Sequence, residues 1–88
     1  MRSYEQIRAS VINANKEAKY ERMITFQENI IEQAIKDGRG NGSSVRFIFS
    51  DREQFHGIER EWFDEFYNRA KTEVENAGYE VRGSLVYY

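Results

Sequence analysis

Val45-Arg46-Phe47-Ile48-Phe49-Ser50-Asp51-Arg52-Glu53 decides how this chain is read. From Val45 to Phe49 every second side chain is apolar. Val45, Phe47 and Phe49 fall on one face and Arg46 on the other, which is the period of a half-buried strand. Ser50-Asp51-Arg52-Glu53 then has capping-box spacing, a hydroxyl three residues ahead of a carboxylate. Beyond it Phe55, Ile58, Trp62, Phe66, Ala70, Val74 and Ala77, thickened by Phe63 and Tyr67, recur with helical period. The change of period from 2 to 3.6 predicts a strand over about 44–50 and a helix over about 51–77.

Gly78 has the freedom to end that helix, with Tyr79 placed to pack back onto the last turn as a Schellman cap requires. Residues 79–88 alternate again, predicting a strand or a hairpin. Tyr79, Val81, Leu85 and Tyr87 fall on one side, and Glu80, Arg82 and Ser84 on the other. Gly83 marks a bulge or, with Ser84, a tight turn.

Towards the amino end, Ser3-Tyr4-Glu5-Gln6 is another capping box, in which Ser3 accepts from the N–H of Gln6 and Gln6 reaches back to Ser3. Ile7, Val11, Ala14 and Ala18 follow at helical spacing. Further on, Tyr20, Ile24, Gln27, Ile31, Ala34 and Ile35 take over, and the stripe slips phase between Ala18 and Ile24. The strong helix formers Lys16-Glu17-Ala18-Lys19 favour one continuous helix over about 4–37 rather than a break near Asn13 and Asn15. Lys36 and Gly38 are stop chemistry, a cation at the carbonyl end and a residue free to turn left-handed. Residues 38–43 are then a flexible glycine-rich loop.

The predicted order is α-β-α-β, an α+β class with a long N-terminal helix and then a strand-helix-strand unit carrying a two- to three-stranded sheet. Such a unit ordinarily makes parallel neighbours. At 88 residues the chain is expected to form one domain. There is no internal repeat and no Pro. A two-stranded sheet leaves edges that invite another chain, so a homodimer, or a partner supplying the missing surface, is expected.

Composition excludes several classes. With no Cys and one His the chain has neither a disulfide framework nor a finger-type zinc set. No apolar run reaches the roughly 18–20 residues of a membrane span, and Met1-Arg2-Ser3-Tyr4-Glu5 lacks the core of a signal peptide. A cytoplasmic protein without membrane attachment is expected, with no cofactor and no metal. Net charge is −2 with 32% charged residues, so there is no global drive towards nucleic acid.

His56 is the one residue titrating near neutrality; as a general base it would need Asp51 or Glu59 to orient it. An exposed helix histidine is the plainer reading. Asp51, Glu53, Glu59, Glu61, Asp64 and Glu65 interleave with the apolar stripe and read as a solvated, acidic face. The 38–44 glycine loop follows a helix and opens a strand, the reverse of a phosphate-cradling loop. The aromatic strand around Phe47 and Phe49 has the flavour of an RNA-recognition sheet, but core packing explains it better.

No enzyme is expected. The preferred function is a protein-protein interaction module, regulatory or inhibitory, using Arg60, Asp64, Arg82, Tyr87 and Tyr88, because Arg and Tyr combine area with directional hydrogen bonds. In composition alone the chain is similar to small accessory proteins of phages. The alternative is a nucleic-acid-binding module using Arg2, Arg8, Lys16, Lys19, Arg22 and Arg39.

Overall fold

The computed structural model describes residues 1–40, 42–55 and 58–88. Its long axis is a single helix, α1, over Tyr4–Lys36. At about 1.5 Å per residue, 33 residues span roughly 50 Å, nearly the full 55 Å length of the molecule. The predicted cap is present: Ser3 Oγ accepts from Gln6 N at 3.2 Å, and Gln6 Oε1 accepts from Ser3 N at 2.9 Å. At the far end Gly38 takes φ +84°, Gly38 N donates to Ile35 O and Arg39 N to Ala34 O, the pair of bonds that closes a Schellman turn.

The strand β1 (Ser44–Arg46) is shorter than the predicted 44–50, because Ile48–Ser50 turns as a 3-10 helix. The reason is the length of its partner. A tight hairpin joins β2 (Glu80–Arg82) to β3 (Leu85–Tyr87), and β3 is the strand that pairs with β1. Phe47 N still donates to Ser84 O, but beyond it the ladder meets the hairpin turn and has nothing to pair with. Phe47, Ile48 and Phe49 are all buried, so the chain folds into the core instead of alternating across a sheet.

The predicted helix over 51–77 is also shortened. Short 3-10 turns occupy Arg52–Phe55 and Arg60–Trp62, and the α-helix α2 runs only Phe63–Asn76. Ser50 does not cap a helix. Its hydroxyl donates to Phe47 O, while Asp51 Oδ1 accepts from Glu53 N, an Asx-type turn. The turns bring Phe55 in against Phe49 (6.4 Å between ring centres) and Phe63 (4.5 Å). Aromatic burial has overridden helix propensity here. The end of α2 is as predicted: Gly78 at φ +101° and Tyr79 N donating to Val74 O.

The sheet order is β1-β3-β2 and every neighbouring pair is antiparallel. β1 and β2 do run parallel across α2, but they are not the neighbours expected of a strand-helix-strand unit, since β3 is inserted between them. Gly83-Ser84 is a two-residue turn with Gly83 at φ +58°, as a type II′ hairpin needs at its first position. That turn reverses the predicted facing of the last strand. Arg82 opposes Leu85 and Val81 opposes Val86, so Val45, Val86 and Val81 form the buried row while Leu85 is exposed. Behind that row α1 and α2 complete the core around Tyr20, Phe47, Ile48, Phe66 and Ala70.

Candidate interaction surface

An α-helix turns about 100° per residue, so the two apolar sets on α1 can be placed around its axis. Tyr20, Ile24, Gln27, Ile31 and Ala34 share one face and are buried against the rest of the domain. Tyr4, Ile7, Val11, Ala14 and Ala18 share another, about half a turn away. The phase slip in the sequence is therefore a change of side. Residues 1–15 are all exposed, including Tyr4 at 77%, Ile7 at 43% and Val11 at 53%. The first half of α1 is an arm with an apolar stripe that nothing in its own domain covers.

The arm leaves the body beside a row of polar contacts between α1 and α2. Lys16 Nζ lies 2.5 Å from Glu65, Arg69 donates to both oxygens of Glu17 at 2.7 and 2.8 Å, and the Tyr20 hydroxyl donates to Glu73. The partners advance along both helices together, so α1 and α2 run in the same direction here, riveted at residues 65, 69 and 73 of α2. Arg69 also stacks over the Tyr20 ring at 3.9 Å. The Arg69 hydrogen bonds hold the Glu17 carboxyl below the usual carboxylate range. Burial, helped by the bond to Glu73, keeps the Tyr20 phenol protonated well above its ordinary pKa.

The sheet edges are poorer docking surfaces than the sequence implies. The Phe47 and Tyr88 bonds to the opposite strand put the outward-pointing backbone groups of β1 on Ser44 and Arg46. The Ser44 carbonyl accepts from Arg39, and the Arg46 carbonyl accepts from Gln27 Nε2 at 2.9 Å. The opposite edge, β2, is three residues long. A third strand is present and the β1 carbonyls are capped, which leaves the three-residue β2 edge.

A groove of about 610 Å³ lies between the second half of α1 and the end of α2, with Ile31, Val74 and Tyr79 in its lining and Glu28, Glu32 and Glu73 around it. Lys36 offsets part of this acidity by pairing with Glu32 at 3.1 Å.

Of the predicted contact residues, Arg60 and Asp64 are exposed where the 3-10 turn meets α2. Arg82 and Tyr87 share the outer sheet face: the guanidinium lies 5.3 Å from the ring centre and donates to Glu80 at 2.6 Å. Tyr88 does not face outward. It packs against the core, and its hydroxyl is buried without a hydrogen-bond partner among the described residues. The structure does not gather these residues into one patch with the arm.

The predicted basic set is dispersed. Arg2 and Arg8 are exposed on the arm, Lys16 is ion-paired, Lys19 lies 6.0 Å from the Trp62 ring, Arg22 is exposed, and Arg39 is spent on the β1 edge. On α1 itself Arg8, Lys16, Lys19 and Arg22 fall within about a third of a turn, but Lys16 is held by Glu65, Lys19 lies beside Trp62, and Arg2 and Arg39 lie outside the helix. His56 lies outside the described residues. Asp51 is occupied by its own turn and approaches Arg46 at 3.9 Å. Among the described residues no cluster of His, Asp or Glu has metal-binding geometry, and no helix is long and apolar enough to cross a membrane. No family model, curated protein or solved structure matches this chain.

Proposed function

We propose that this chain is a protein-interaction module whose working surface is the free half of α1. The observation that carries the reading is the stripe Tyr4-Ile7-Val11-Ala14-Ala18, exposed on the side of the helix opposite the domain core. Apolar residues at spacings of three and four are the anchors by which one helix lies against another. Here they lie on a helical extension of the body, which it leaves beside the polar contacts at residues 16–20. The outer sheet face, where Arg82 stacks on Tyr87, is a smaller second surface of the kind Arg and Tyr favour at interfaces. The role we assign is regulatory or inhibitory, exerted by occupying a partner's surface.

The test is quantitative affinity capture with the full chain and with Val11→Asp, in the cells that make the protein. Val11 is exposed, so the substitution leaves the fold intact. Partners retained by the native chain and lost with Val11→Asp support the reading; identical capture by the two overturns it.

A further inference from the structure

We infer that the occupant of the arm is a second copy of this chain, the two α1 helices running antiparallel about a two-fold axis at Val11. This rests on reading the arm as a docking surface and adds the identity of what docks.

The first argument is bulk. The stripe is graded from large to small: Tyr4, Ile7, Val11, Ala14, Ala18. Turned end for end it becomes its own complement. Tyr4 then lies opposite Ala18 of the other copy, Ile7 opposite Ala14, and Val11 opposite Val11. Each layer holds a similar total volume, so the helix axes keep an even spacing and knobs can fill holes along the seam. Parallel pairing in register stacks Tyr on Tyr at one end and Ala on Ala at the other, which splays the helices.

The second argument is charge. Antiparallel pairing about Val11 sets the amino end of each helix, its positive pole, beside residue 21 of the other copy. Ser3, at that end, and Glu21 lie on the same flank of the stripe. The Glu21 carboxylate therefore meets the exposed N–H groups of the first turn and Arg2, a favourable placement for an acid at a helix amino end. On the other flank Arg8 comes opposite Asn15, while Arg22 lies beside the same amino end, so the charge argument holds for the Glu21 flank alone.

Geometry permits the arrangement. The stripe points about half a turn away from the body, so the two bodies lie outside the seam, at opposite ends and on opposite sides. The seam is short, fifteen residues or about 21 Å, and falls below the roughly 800 Å² per partner of a stable complex. The dimer is therefore reversible, with a dissociation constant in the micromolar range or weaker. A membrane surface fits less well, because two of the five stripe residues are alanine and offer little apolar area to insert.

Sedimentation equilibrium from about 10 μM to about 1 mM, the range in which such a seam assembles, is expected to show a monomer–dimer equilibrium. Val11→Asp is expected to abolish it without changing the helical circular dichroism. The chain has no Cys, so a spin label on Asn13→Cys or Arg22→Cys reports orientation. The antiparallel pair separates the two labels along the axis by about 6 Å at residue 13 and about 33 Å at residue 22. Equal separations at both sites overturn the inference, as does a native chain that stays monomeric throughout. If that monomer still loses a protein partner on Val11→Asp, the inference falls and the docking-arm reading stands. If it binds vesicles of phosphatidylserine and phosphatidylcholine, or Val11→Asp changes nothing, both fall.

Discussion

Gln27→Met tests the account of how β1 ends. Gln27 is the one fully buried polar side chain among the described residues. Its amide nitrogen donates to Arg46 O and its amide oxygen accepts from Ile48 N, both at 2.9 Å. It thus satisfies the two backbone groups on either side of the point where the strand gives way to a 3-10 turn. Met conserves the volume and keeps an apolar stem, so no cavity opens. What it removes is the partner of a buried N–H and of a carbonyl that has no strand beyond it. Stranding such a group costs about 1–3 kcal/mol, and two groups make roughly 2–6. Added apolar burial offsets about 1 kcal/mol of that, leaving a net loss of roughly 1–5. For a domain of this size each kcal/mol lowers Tm by about 4–8 °C, so a fall of at least about 4 °C is expected by calorimetry. Hydrogen exchange at the Ile48 amide should accelerate more than exchange at Val86, which lies in the central strand. A loss below about 1 kcal/mol, or an Ile48 amide still protected, would refute the reasoning.

Other outcomes follow from the same geometry. Gly83→Ala puts a side chain at φ +58° with open space around it, so its cost is backbone strain alone, about 1–2 kcal/mol, read as a shift in the urea midpoint at constant m-value. The Tyr20 phenol is held protonated in the fold, so its contribution is complete below the ordinary phenol pKa of about 10 and is lost as pH rises above it. Tyr20→Phe should therefore flatten the alkaline limb of a stability–pH curve. The depressed Glu17 carboxyl acts at the other end: its contribution is present above the ordinary carboxylate pKa and disappears as pH falls through the lower, folded value. Glu17→Gln should weaken the acid dependence and little else, since the pair is exposed and worth little at neutral pH. Ile7→Ser, on the uncovered stripe, should leave thermal stability within about 0.5 kcal/mol of the native chain, measured well below the dissociation constant of any dimer.

The parts of the fold visible in the sequence are those set by local chemistry. Ser3 and Gln6 cap α1, and Gly38 and Gly78 close two helices with the expected bonds. What could not be read depends on partners distant in sequence. β1 ends at Arg46 because β3 is short, and nothing in Phe47-Ile48-Phe49 reveals the length of the strand opposite. The helix expected from residue 51 onwards loses its first half because Phe55 packs against Phe49 and Phe63, a tertiary choice that a 3.6-residue period cannot exclude. The facing of Leu85 and Val86 hangs on whether Gly83-Ser84 makes a bulge or a two-residue turn, since a shift of one residue exchanges the faces of a strand. Gln27 was visible as a polar residue inside an apolar stripe, which is the signal of a buried amide with backbone to satisfy.

The proposed docking surface differs from the one expected from the residues alone. Contact residues were expected on the second helix and last strand, and an open sheet edge was the ground for self-association. The structure closes β1 with Arg39 and Gln27, shortens β2 to three residues and turns Tyr88 inward. On α1 the phase slip between Ala18 and Ile24 reads at first as a flaw in amphipathicity. A helix serving only its own core has no use for a second stripe, and replacing Tyr4, Ile7 and Val11 with polar residues would improve solubility at no cost in packing. Two stripes on opposite sides and at opposite ends meet at three charged or polar pairs to α2. The second half belongs to the core of this domain, and on the function proposed above the first half would belong to a core that another helix completes.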